Sequence, residues 1–181
     1  MELTLESYPA LSRPELLAGP VATALGGWSA GSAAEVEIAA IDPALADTAE
    51  FCRRYGVALE ASANCVVIAA KRGGVTSYAA CLVTATTRAD VNGLVRRHLE
   101  ARRASFAPVD AVLAATGMEY GGITPIGLPA DWPVLVDPAV AEHPRVVVGS
   151  GIRGSKLWLP GRLLAGLPTA RVLPGLGVPV G

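Results

Sequence analysis

Two apolar runs, Cys65–Ala70 and Tyr78–Thr84, flank the pair Gly73-Gly74. No other feature constrains the chain so strongly. Paired glycines supply the positive φ angles of a tight hairpin turn, and apolar runs of this length read as buried strands. The spacing predicts an antiparallel hairpin. Around it, 20 glycines and 14 prolines cut the chain into short elements. Val36–Ile41, Val134–Val136, Val146–Val148 and Lys156–Leu159 read as further short strands, and Ser105–Ala107 as an extended piece. One helix is expected over Arg13–Leu25, interrupted at Pro20. A second should run over Leu45–Tyr55, with Leu45, Ala49 and Cys52 inward and Gly56 as its cap. A third should start at the N-cap Asp90 and end at Leu99, with Val91, Leu94, Val95 and Leu99 inward. Val109–Ala115, closed by Thr116-Gly117, and the stretch after Pro160-Gly161 complete the helices. Strands joined by hairpins as well as by helices favour an α/β or α+β fold with a mixed sheet over a doubly wound parallel one.

At 181 residues the chain corresponds to about one domain. We expect an N-terminal extension over 1–35, the main domain over 36–175 and a loose Pro/Gly-rich tail over 176–181. Hydrophobic residues make up 51% and charged residues 17%, which excludes a disordered chain. Apolar runs such as Cys65–Ala70 fall far short of the ~20 residues that span a membrane. The acidic start Met1–Glu6 lacks the basic and apolar regions of a signal peptide, so a cytoplasmic protein is expected.

The net charge of -1 argues against a dedicated duplex-DNA binder. Nucleic-acid contact, if local, falls on Arg96, Arg97, Arg102 and Arg103, the one dense basic cluster; the alternative is a solvated helix face. Cys52, Cys65 and Cys81 lack the close pairing of zinc ligands or of a disulfide framework and read as buried small residues. His98 and His143 read as surface residues. No metal and no cofactor are expected.

Two familiar patterns fail on context. Gly149-Ser150-Gly151-Ile152-Arg153-Gly154 fits GxGxxG after an apolar strand, but Ser155–Leu159 then reads as another strand, where a dinucleotide site needs a helix. The turn still offers several backbone N–H groups. Gly27-Trp28-Ser29-Ala30-Gly31 fits GxSxG, yet the strand-then-helix order of a nucleophile elbow is reversed around it. A serine hydrolase using Ser29 is the weakest reading.

The stretch Thr116-Gly117-Met118-Glu119-Tyr120-Gly121-Gly122-Ile123-Thr124-Pro125-Ile126-Gly127 resembles the TG-x3-GG-x2-P-x-G signature of the YbaK/EbsC family, aminoacyl-tRNA deacylase-like domains related to the prolyl-tRNA synthetase editing domain. Pro133–Asp137 is similar to the family's strand ending in Asp. Val147–Gly151 with Lys156-Leu157 is similar to its second glycine-rich turn and following strand. Asp90–Leu99 and Ala104 fit in order, and the resemblance spans about Leu45 to Val172.

The resemblance implies a mixed, partly barrel-like β-sheet with flanking helices. It implies hydrolysis of the ester of a mischarged tRNA bearing a small amino acid, the second sieve of editing. The partners would be the aminoacyl-tRNA acceptor end and an aminoacyl-tRNA synthetase. An aminoacyl ester is already activated, so the site needs a positioned water and donors aimed at the carbonyl oxygen rather than a protein nucleophile. Gly121 and Gly122, without Cβ, let backbone N–H groups approach the ester, and Asp137 would hold the substrate ammonium or orient the water. Asn64, Thr116, Gly117, Pro125, Gly149, Ser150, Gly151 and Lys156 are the expected substrate-binding residues. One departure stands out: many family members carry a lysine in the first core strand where this chain has Asn64. A binding module that has lost hydrolysis is therefore the alternative.

Overall fold

The computed structural model describes residues 5–180. Its strands are β1 (Tyr8–Pro9), β2 (Glu37–Ala40), β3 (Ala63–Arg72), β4 (Val75–Thr84), β5 (Thr87–Ala89), β6 (Arg103–Phe106), β7 (Val134–Val136), β8 (Val146–Gly149), β9 (Ser155–Leu159), β10 (Ala170–Val172) and β11 (Gly177–Pro179). The helices are α1 (Gly19–Gly26), α2 (Ala30–Ala33), α3 (Thr48–Tyr55), α4 (Arg96–His98), α5 (Val109–Thr116), α6 (Pro138–Ala141) and α7 (Gly161–Ala165).

The expected hairpin is β3–β4, turning at Gly73 (φ 57°) and Gly74 (φ 79°). It forms the centre of a five-stranded sheet, β10-β7-β4-β3-β6, in which β7 runs parallel to both β4 and β10 while the remaining pairs are antiparallel. A second sheet, β1-β2-β9-β8, is antiparallel throughout, and β11 pairs with β5. Among the described residues the two larger sheets are hydrogen-bonded to each other at an isolated bridge, Ser62 to Val147, and do not close into a barrel. The fold is thus mixed α+β with flanking helices, as the sequence leads one to expect.

The main core fills the space between these sheets with Leu82, Ile126, Val136, Val148 and Leu157. Ala10, Leu17, Val21 and Leu25 belong to the same cluster, so the described part of the segment expected as an extension packs into the domain, residues 1–4 lying outside the described residues. Within the tail expected to be loose, Gly177–Pro179 pairs with β5 and Leu176 is fully buried, while Gly181 lies outside the described residues.

Some boundaries differ from expectation. Arg13–Leu25 is not one interrupted helix: a 3-10 turn over Pro14–Leu16 precedes α1, and Pro20 lies in the first turn of α1, where a missing N–H costs nothing. The helix expected from Leu45 starts at Thr48, because Pro43–Leu45 forms its own 3-10 turn, capped by the Asp42 carboxylate on the Ala44 N–H at 2.9 Å. Its buried face is Phe51, Cys52 and Tyr55, while Ala49 is exposed. Asp90 caps as expected, accepting from the N–H groups of Gly93 and Leu94, and the first turn over Val91–Val95 is wound wide before α4.

Candidate functional site

Where β6 ends, β3 loses its neighbour. Ala107 N–H still donates to the Val67 carbonyl at 2.9 Å, and the chain then turns into α5. Between that point and the Ser62–Val147 bridge, the edge of β3 faces a cleft of about 390 Å³. This lies within the range of small-molecule sites. Strand residues Ala63–Val67 form one wall, α5 contributes Val109, Val112 and Leu113, and β8–β9 contribute Val147–Gly149 and Lys156. Phe106 and Tyr120, both largely exposed, stand at its rim.

The two glycine bends meet here. The Gly151 N–H donates to the Gly122 carbonyl at 2.7 Å, and the Glu119 N–H donates to the Gly151 carbonyl at 2.8 Å. The fit leaves no room for a side chain: a Cβ on Gly149 would lie 2.6 Å from the carbonyl oxygens of both Gly122 and Ile123. Arg153 ties the bend to the loop before α3, donating to the Tyr120 carbonyl at 3.1 Å and, through Nη2, to the Pro43 carbonyl at 3.0 Å.

Of the expected site residues, Asn64, Gly121, Gly149 and Lys156 line the cleft together. The structure gives the others different surroundings. Asp137 is buried; its carboxylate caps α6 through the Ala139 N–H at 2.8 Å and accepts the Gly177 N–H at 2.6 Å. Thr116 donates to the Val112 carbonyl at 2.7 Å and accepts the Met118 N–H at 3.2 Å, closing α5, and Gly117 is the left-handed cap (φ 67°). Gly122 and Pro125 are buried and do not belong to the cleft lining. Ser150 is buried in a hydroxyl pair with Ser155 at 2.6 Å, and Gly151 packs against Ala18. Ser29 merely caps α2, its hydroxyl accepting the Ser32 N–H at 3.2 Å.

The polar groups of the cleft are specific. Thr48, first residue of α3, donates its hydroxyl to Asn64 Oδ1 at 2.6 Å. That bond leaves the amide protons of Asn64 as the groups available to a ligand. Lys156 is only 8% exposed. Its Nζ donates to the Ala46 carbonyl at 3.1 Å and lies 5.3 Å from the Phe51 ring. Burial lowers its pKa below the usual lysine value; nearby Cys52 and Asp47 oppose the shift and Arg153 adds to it. Asp47 occupies the N-cap position of α3, where its carbonyl accepts the Phe51 N–H at 2.8 Å but its carboxylate makes no cap bond, and it borders the cleft. Sequence reasoning missed Asp47 and Thr48, since both read locally as ordinary helix-start residues.

Cys65, which lines the cleft, is not an activated thiol. Desolvation, reinforced by neighbouring Cys81, pushes the Cys65 thiol far above its ordinary value, so it stays protonated near neutral pH. Among the described residues no group of three or more His, Cys, Asp or Glu side chains is placed to hold a metal ion, and no helix is long and apolar enough to cross a membrane.

The basic residues lie apart from the cleft lining. Arg97, Arg102 and Arg103 are exposed, Arg96 is half-buried, and Arg103 stands directly opposite Lys71 across the β3–β6 pair. Like charges in that position repel, which a bound polyanion would relieve.

Residues 42–167 match the family model described as the aminoacyl-tRNA editing domain. No curated protein sequence matches the chain. Among solved structures, a candidate trans-editing enzyme for prolyl-tRNA synthetase superposes with a TM-score of 0.72 at 18% identity, covering 91% of this chain and 99% of that one. A scaffold protein from work on epitope backbone grafting by computational design gives a TM-score of 0.73 at 21% identity, covering 91% and 97%. At these identities the likeness speaks for the fold.

Proposed function

The chain belongs to the aminoacyl-tRNA editing domain family, and from that premise we propose that it is a deacylase that hydrolyses the ester of a mischarged tRNA carrying a small amino acid. The observation that carries this reading is the convergence of Gly121, Gly149, Asn64 and Lys156, from four separate segments, on one cleft of about 390 Å³. In the reaction a water oxygen bonds to the ester carbonyl carbon, and the bond from that carbon to the ribose oxygen breaks. One water proton ends on the ribose hydroxyl; the other leaves the new carboxylic acid for solvent. Negative charge gathers on the carbonyl oxygen in between. Donors fixed before the reaction lower that barrier more than flexible ones. Asn64 is fixed by Thr48, Lys156 by Ala46, and the glycine bends by each other.

The aliphatic walls, with Val66, Val112 and Leu113, suit a small apolar amino-acid side chain. Arg103 lies on the same strand as the rim residue Phe106, with Arg102 just before it, and both suit the phosphates of an acceptor stem. An aminoacyl-tRNA synthetase as partner, and a cytoplasmic setting, accord with such a substrate. Asn64, in a position where a charged residue would serve the carbonyl better, supports a second reading: a module that binds the aminoacyl-adenosine end without turning it over.

A panel of mischarged tRNAs incubated with the protein tests both. Release of a small amino acid from at least one, above the buffer rate, is the expected result. No release from any, with measurable binding of a non-hydrolysable aminoacyl-adenosine, would replace the deacylase by the binding module. Neither release nor binding would end both.

A further inference from the structure

Two opposite charges sit in the cleft without forming an ion pair. Lys156 is more than nine-tenths buried, and no carboxylate among the described residues lies within 4.0 Å of its ammonium. Its hydrogen bond to the Ala46 carbonyl occupies one of three donors. A buried cation so placed is costly until negative charge arrives to meet it. Asp47 follows Ala46 in the chain, so the same loop that holds the lysine presents the carboxylate. Asp42 and Asp137 each cap the helical turn they precede, whereas Asp47, also at a helix start, makes no side-chain cap bond and borders the cleft. The two charges sense each other electrostatically yet remain out of contact.

An aminoacyl ester has matching poles. Its α-ammonium is a cation, and its carbonyl oxygen gains negative charge as water adds. The ammonium is repelled by Lys156 and drawn to Asp47; the carbonyl oxygen is drawn to Lys156. We propose that Asp47 and Lys156 orient the substrate by these two poles, so that the cleft accepts aminoacyl esters with a free α-amine and rejects N-acylated ones such as peptidyl esters. The inference rests on the deacylase reading and adds to it the substrate class that the site discriminates against. In this arrangement Lys156 is a catalytic residue, because it touches the oxygen on which charge develops, and Asp47 is a specificity residue.

The test compares alanyl-tRNA with N-acetyl-alanyl-tRNA on the wild type, Asp47→Asn and Lys156→Met. The wild type should prefer the free amine by about 10- to 100-fold, the range for one charge-assisted hydrogen bond. Asp47→Asn, isosteric and at an exposed position, should shrink that preference to about threefold or less, chiefly through KM. Lys156→Met should lower kcat by about 100-fold and leave the preference in place; Lys156→Met with Asn64→Lys should recover part of kcat, since the charge returns to the same cleft. Preference unchanged in Asp47→Asn, or kcat unchanged in Lys156→Met, would overturn the proposal. If the wild type hydrolyses neither tRNA, the deacylase reading is what fails. The poles are then read from binding of 3′-alanylamino-3′-deoxyadenosine and its N-acetyl derivative. Tighter binding of the free amine by the wild type but not by Asp47→Asn supports the assignment; equal binding by both proteins, or no binding, overturns it.

Discussion

Thr48 donates its hydroxyl to Asn64 Oδ1 at 2.6 Å, joining the first turn of α3 to the start of β3. The bond decides which end of the Asn64 amide faces the cleft. Thr48→Val keeps the shape and removes the donor. The amide then loses its fixed orientation, and KM for an aminoacyl-tRNA should rise several-fold. The melting midpoint should fall only slightly, by the equivalent of about 1 kcal/mol for one partly buried hydrogen bond. Steady-state kinetics with a thermal melt separates the two effects; unchanged KM would remove Asn64 from the binding surface.

Gly149→Ala tests the meeting of the glycine bends. Its Cβ would sit 2.6 Å from two carbonyl oxygens of the other bend, both backbone, so the bends must part. A loss of roughly 1–3 kcal/mol is expected, as for an overpacked core, together with loss of turnover. A variant melting like the wild type would show that the bends are looser than this contact implies.

Asp137 offers the contrasting case. Its carboxylate is engaged with the N–H groups of Ala139 and Gly177. Asp137→Ala should cost about 2 kcal/mol or more through the lost cap and the lost charge-assisted bond, and should loosen the C-terminal strand β11. Hydrogen exchange at Gly177 follows this directly. A variant of full stability that has lost turnover would instead place Asp137 in the chemistry.

Burial lowers the Lys156 pKa in the folded protein, so over the interval between its folded and unfolded values the unfolded chain holds more protons. Stability from this group therefore rises as pH climbs through that interval, and the cost of the buried charge is fully present below it. Lys156→Met removes that cost. At neutral pH the variant should melt at or above the wild type, each 1 kcal/mol being worth about 2–4 °C at this chain length, and its advantage should shrink at alkaline pH. Melts across pH check this. A variant markedly less stable at neutral pH would mean that the Ala46 bond and the Phe51 contact outweigh the desolvation.

Replacing Arg102 and Arg103 by Ala should lower the salt sensitivity of tRNA binding, the slope of log K against log salt falling by about 0.7–0.9 per lost phosphate contact. Relief of the Lys71–Arg103 repulsion should leave the fold at least as stable. An unchanged slope would put the RNA path elsewhere on the surface.

The hairpin turn at Gly73-Gly74, the Asp90 cap, the left-handed caps Gly56 and Gly117 and the short strands were all legible in the sequence, because each depends on residues a few positions apart. The glycine signature also marked the two bends that meet. Sequence spacing could not tell which members of those bends line the cleft. Gly121 and Gly149 do, whereas Ser150, Thr116 and Asp137 satisfy their neighbours' backbone groups. Nor could it single out Asp47, whose neighbours in the chain mark only the start of a helix. Lys156 and Asp47 share one cleft because β9 pairs with β2 and β8 while α3 packs across them, and such an arrangement comes from long-range burial. Local chemistry selected the elements of this protein; the packing of distant segments selected which side chains were left facing the cleft.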